Sequence, residues 1–209
     1  MTPDPSRHTG RIDGRRLRGE RTRQLMIEAC LALVRRHRRM PTGTEVAAAA
    51  GYAIRSLFQR FADLDSLVVA AADYAIAQGQ MEAMPRDLVA DRAGRIRAHV
   101  QRQSETCERW LPLWQVLIAG HDSIPDLRAR VATARLGNVE RIRLVYRPEL
   151  EVLPRAERDR LAVTLSALTS FESWDQLRGT FGLSVEQAQR AWRDTIDRLL
   201  PASATGSDD

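Results

Sequence analysis

The stretch Thr42-Gly43-Thr44-Glu45-Val46-Ala47-Ala48-Ala49-Ala50-Gly51-Tyr52-Ala53-Ile54-Arg55-Ser56-Leu57-Phe58-Gln59-Arg60-Phe61 decides the fold. Thr42-x-x-Glu45 is a capping box. The threonine hydroxyl accepts from a free backbone N–H of the first turn, and the glutamate reaches back to the amide of Thr42. Val46, Ala47 and Ala50 then form a thin apolar side, and small alanines let a second helix come close. Gly51 supplies the left-handed backbone that a tight interhelical turn requires. A second short helix, about Ala53 to Phe61, places Leu57 and Phe61 four apart on one buried edge. Its other edge carries Ile54, Arg55, Ser56, Gln59 and Arg60. A rod with one apolar edge and one Arg-bearing edge docks on its neighbours and still offers side chains outward. This is the pattern of a helix-turn-helix.

Working outward, charge points the same way. Residues 1–60 hold 13 Arg against 5 acidic residues, whereas residues 61–209 hold 19 Arg against 22. The cationic surplus therefore sits beside the helix-turn-helix, which suits a polyanionic partner. The chain contains no Lys; every cation counted is Arg, whose planar fork matches phosphate and guanine. Residues 1–19 are rich in Pro, Gly and Arg and predict a flexible arm. Its Arg15, Arg16 and Arg18 are expected to meet DNA, as such arms enter the minor groove. Within the motif the candidate DNA contacts are Thr42, Thr44, Ile54, Arg55, Ser56, Phe58, Gln59 and Arg60. Arg55 is the expected base reader. Gln59, Arg60 and the helix N-terminus at Thr42 and Thr44 are expected at phosphates.

The other segments read as helices. Leu25, Met26, Ala29, Cys30, Leu33 and Val34 mark a buried stripe from Glu20 to His37. Asp63 caps a helix over about 64–84. Further helices are predicted over 87–109, 111–119, 127–146 and 155–177. Ser184-x-x-Gln187 is a second capping box, opening a last helix to Leu200. The fold class is all-α. The expected organisation is an arm over 1–19, a helix-turn-helix domain over 20–66, a larger helical domain over 67–200 and a polar tail over 201–209.

In that larger domain Trp110, Leu113, Trp114, Leu117, Ile118 and His121 cluster on one short segment. They suggest the wall of an apolar effector pocket, with Met81, Met84 and Tyr146 contributing. Core packing is the competing reading for each one singly. Phe171, Trp174, Leu177, Trp192, Ile196 and Leu199 lie on two long apolar helices near the chain end. They are candidate dimer-interface residues, because large apolar faces seldom stay exposed; packing within the subunit competes equally. Cys30 and Cys107 have neither metal nor disulfide-framework spacing and read as buried apolar residues. No metal site or cofactor is implied, since His121 has no second ligand near it. No phosphate loop, nucleophile elbow or HExxH appears, so an enzyme is not expected. No apolar run is long enough to span a membrane, and no secretory leader is visible. The expected location is the cytoplasm.

The order of motifs resembles the TetR family of bacterial transcriptional repressors. The residues carrying the resemblance are Gly51-Tyr52-Ala53-Ile54-Arg55-Ser56-Leu57-Phe58-Gln59-Arg60-Phe61-Ala62-Asp63-Leu64-Asp65-Ser66-Leu67, and it extends over residues 20–67. Leu57 and Phe61 match the buried pair of the family's recognition segment, and Gly51 matches its turn. Phe58 stands where a Tyr is usual, Arg60 for a His, Leu64 for a Lys and Ala53 for the capping Ser. Phe171-Glu172-Ser173-Trp174-Asp175-Gln176-Leu177-Arg178 and the final amphipathic helix are similar to the family's C-terminal end. The resemblance implies a three-helix DNA-binding domain followed by a helical effector-binding and dimerisation domain. It further implies a homodimer on a double-stranded operator, acting as a repressor that a small apolar molecule releases. The substitutions at Ala53, Phe58 and Leu64 keep open a second reading: a helical interaction or scaffold protein whose degenerate helix-turn-helix no longer binds DNA.

Overall fold

The computed structural model describes residues 9–85, 90–120 and 124–202, the side chains of residues 9–13 and 15 excepted. These residues build helices and no strand. Helix α1 spans Thr9–His37. It starts well before Glu20, so the stretch from Thr9 to Gly19 is helical where an irregular arm is expected. The reason is local. No proline interrupts the segment after Pro5, arginine is a good helix former, and Arg16 pairs with Glu20 at 3.1 Å one turn on. Arg38 ends the helix in the left-handed region, at φ 50°.

Helices α2 (Gly43–Ala49) and α3 (Ile54–Phe58) follow, and α4 spans Leu64–Glu82. The expected capping box forms: Glu45 N donates to Thr42 Oγ1 at 3.3 Å and Thr42 N donates to Glu45 at 2.8 Å. Gly51 turns the chain at φ 77°. A Cβ built on Gly43 would stand 3.2 Å from Ile54 Cδ1, so α2 and α3 approach as closely as they do only because that side chain is absent. Met26, Val34, Val46, Leu57 and Phe61 close the centre of the module.

Helix α5 runs unbroken over Arg92–Gly120, with Pro112 inside it. The sequence suggests two helices there. Proline does remove one intrahelical bond, but Leu113, Trp114, Val116 and Leu117 are all buried just beyond it. Burial of several large side chains outweighs the roughly 3 kcal/mol that an interior proline costs. Trp110, Leu113, Val116 and Leu117 join the same core as Met26, Leu57 and Leu67. The N-terminal module therefore has no separate core of its own.

Helices α6 (Pro125–Val145) and α7 (Arg147–Leu150) precede α8 (Arg155–Leu168) and the short α9 (Phe171–Asp175). A π-helical turn, Gln176–Thr180, leads to α10 (Val185–Leu199). The helix expected over 155–177 thus divides at Thr169. Ser170 starts α9 by accepting from Ser173 N at 3.1 Å. A second core gathers Ile96, Cys107, Ile142, Leu165, Trp174, Trp192 and Ile196. The Trp174 and Trp192 rings lie 4.8 Å apart, and Trp174 Nε1 donates to Glu108 at 2.8 Å. This corrects three of the expected dimer-interface residues. Trp174, Trp192 and Ile196 are fully buried inside the subunit, because the apolar stripe of α10 faces α5 of the same chain. Leu177 packs against that core and Phe171 against both cores, which leaves Leu199 exposed.

Candidate nucleic-acid interface and ligand cavity

The helix-turn-helix presents a continuous outward surface. Thr42, Thr44, Arg55 and Gln59 are exposed, and Ser56 is half-buried. Ile54 and Phe58 are about half exposed and lean toward the start of α2, where both would touch a side chain at Gly43. Arg60 behaves differently from Arg55. Its Nη1 donates to the Ser56 carbonyl at 2.9 Å, and its Nε is buried without a partner. Its guanidinium is folded back over its own helix, whereas Arg55 has a free outward edge. Ala53 caps α3 with no side-chain hydrogen bond, as its methyl dictates.

Supports lie behind this surface. Arg39 bridges to Glu45 at 2.5 Å, and that hydrogen bond, with those from Thr42, holds the Glu45 carboxyl down to about 2. Thr22 on α1 places its hydroxyl 3.4 Å from that of Tyr52, and the Arg23 guanidinium lies 4.9 Å over the Phe61 ring. Arg16 and Arg18 are exposed on α1; the side chain of Arg15 lies outside the described residues.

A cavity of about 550 Å³ opens between α4, α5, α6, α8 and α9. Trp110, Trp114 and Leu117 line it, with Leu113, Val139 and Phe171. The Trp114 and Phe171 rings stack at 4.9 Å. Met81 and Met84 do not reach it. They stand at the exposed end of α4, past the point where that helix meets the cavity. Tyr146 does not reach it either: it is buried in the second core, its hydroxyl 2.7 Å from His99 Nδ1. His121 lies outside the described residues.

The polar lining comes from positions the sequence did not single out. Gln103 Nε2 donates to the Thr169 carbonyl at 2.8 Å, and Asn138 Nδ2 donates to Ser166 Oγ at 2.9 Å. These bonds turn both amide oxygens toward Arg141, whose Nη1 donates to Asn138 Oδ1 at 2.9 Å and to Gln103 Oε1 at 3.3 Å. At the rim Arg135 pairs with Glu172 at 2.7 Å and lies over the Trp114 ring at 5.7 Å. Trp114 Nε1 also donates to Glu172, at 3.1 Å. His99, wholly enclosed, is pushed down to about 3 by burial and then by the charge of Arg141. Nothing in the primary structure signals this network, because its members come from α5, α6 and α8 and meet only in the fold.

Trp110 links cavity and module. Its side chain lines the cavity, and the Arg35 guanidinium from α1 lies over its ring, 5.2 Å from the centroid. Its Nε1 donates to Glu82 at the end of α4 at 3.1 Å, and Arg109 pairs with the same carboxylate at 2.5 Å. Among the described residues no group of His, Cys, Asp and Glu is placed to hold a metal, and no helix is long and apolar enough to cross a membrane.

No protein-family model matches the sequence, and no curated protein matches it. Solved structures do match the fold. A tetR-family transcriptional regulator from Streptomyces coelicolor is 20% identical, with 86% of this chain and 80% of that chain covered and a TM-score of 0.71. The multidrug binding protein EbrR, complexed with imidazole, is 21% identical, with 98% of this chain and all of that chain covered and a TM-score of 0.60. At that identity the likeness establishes the fold: an N-terminal helix-turn-helix module on a larger helical body, as in TetR-family regulators.

Proposed function

We propose that this chain is a ligand-responsive, DNA-binding transcriptional regulator, acting as a homodimeric repressor. The observation that carries the reading is the mounting of the helix-turn-helix. Its Arg55 edge faces outward, and its core is continuous with the side chains that wall the cavity. Two copies related by a two-fold axis would set their α3 helices in successive major grooves, about 34 Å apart. A molecule filling the cavity would press on Trp110, Leu113 and Leu117. It would shift α1 and α4 through Arg35 and Glu82 and draw the two α3 helices off the groove spacing. Release then requires that the ligand bind the DNA-incompetent arrangement more tightly than the competent one. Leu136 on α6 and Val163 on α8, 66% and 55% exposed, line the open side of the cavity and are the apolar surface that a second subunit is expected to cover there.

The test is selection of bound fragments from a random duplex library by the full chain. A pseudo-palindromic site with half-sites about one helical turn apart is expected. Recovery of no enriched sequence would favour the scaffold reading, in which the exposed Phe58 and the uncapped start of α3 mark a motif that has lost its DNA.

A further inference from the structure

The charged side chains on the cavity wall are Arg135, Arg141 and Glu172. Arg135 and Glu172 neutralise one another at the rim. Arg141 has no carboxylate in ion-pair reach among the described residues. Its two acceptors, Asn138 Oδ1 and Gln103 Oε1, are neutral amide oxygens and engage Nη1 alone. Each amide is locked by its own donor bond to α8 or to the Thr169 carbonyl just beyond it, so the guanidinium is aimed but not neutralised. The cavity thus holds one uncompensated positive charge beside a wall of indole and phenyl rings. Burial disfavours that charge and draws the guanidinium below its ordinary range. A half-buried cation left without a counter-ion is disfavoured, and an entering anion offsets part of that cost.

We propose that the cavity takes an organic anion, an aromatic body bearing one carboxylate, with the carboxylate on Arg141 and the body against the wall that Trp110, Trp114 and Phe171 form. This deepens the reading of the cavity as an effector site and rests on it. The free Nη2 and Nε of Arg141 form a planar donor pair suited to the two oxygens of a carboxylate. The rings supply stacking area. A cationic ligand would meet like charge, and a neutral one would leave Arg141 uncompensated.

The probes are 2-naphthoate, its neutral isostere 2-naphthamide and the cationic 2-naphthylmethylamine. They are titrated into the full chain by calorimetry, with tryptophan fluorescence as a second readout. The naphthoate should bind tighter than the amide by on the order of tenfold, and the amine weakest. Arg141→Met should erase the preference and Arg141→Lys, which keeps the charge without the planar donor pair, should keep part of it, with thermal melts showing that both variants fold. Ala134→Trp, which fills the cavity, should abolish binding of all three. Equal binding of acid and amide, or a preference for the amine, overturns the anion assignment and leaves the cavity reading standing. Failure of every probe to bind, or binding untouched by Ala134→Trp, removes both.

Discussion

Arg55 and Arg60 are five residues apart, and the sequence assigns both to DNA. In the fold only Arg55 has its guanidinium free of the protein backbone. Arg60 is held at the Ser56 carbonyl, where it closes the end of α3. Arg55→Ala is expected to weaken operator binding by about 1–3 kcal/mol and relax preference at one base pair. A gel-shift series over base-substituted duplexes measures this, and equal loss at every sequence would demote Arg55 to a phosphate contact. His99 gives a second prediction. Its imidazole sits near 3, against an ordinary value of 6.5, because burial and the nearby Arg141 oppose its charge. Between those values the unfolded chain binds a proton that the folded chain refuses. Its contribution is therefore whole above pH 6.5 and falls by up to about 1.4 kcal/mol per unit as pH drops toward 3. His99→Phe should flatten that limb in denaturant titrations across pH 7 to 4; parallel slopes in variant and parent would refute it. Trp110, Trp114 and Leu117 were legible as cavity residues because helical spacing puts them on one side of one segment. Arg141 was not, since an arginine in an amphipathic helix looks like any solvated charge until α5 and α8 enclose it.

Helices show the same division between local and distant causes. Helices α2 and α4 begin where the chain says they should, because a capping box is a short-range contract between residues three apart. The far ends and breaks are different. α5 carries a proline through its interior because burial on two sides holds it, and α8 stops at Leu168 because Ser170 caps a new turn. The aromatic residues of α9 and α10 form an apolar stripe with two destinations, a second subunit or the chain's own α5, and periodicity cannot separate them. The α2–α3 junction yields a sharper test. Gly43→Val would drive a branched side chain into Ile54 and Phe58, costing about 1–3 kcal/mol and displacing α3. Operator affinity should fall more than thermal stability alone explains. A variant that melts lower yet binds DNA as the parent does would show that α3 tolerates the wedge.

At the scale of the molecule, the two cores meet along α5. One end of that helix completes the helix-turn-helix module and the other anchors α10. Trp110 stands at the crossing, touching the cavity, α1 and α4 at once. Trp110→Phe keeps an aromatic wall but loses the bond to Glu82. It is expected to retain ligand affinity while the ratio of operator affinities without and with ligand shrinks several-fold, toward the lower end of the 5–150-fold span common for such coupling. An unchanged ratio would place the coupling elsewhere.

The continuous interior also limits what can be cut or transplanted. A fragment ending near Phe61 would carry bare patches where Leu67, Ala71, Leu113 and Leu117 belong, and would clump rather than bind. Retargeting by exchanging whole modules between homologous bodies would fail for the same reason. Rewriting the handful of outward side chains on α3, with its hidden edge left alone, is the graft this architecture permits.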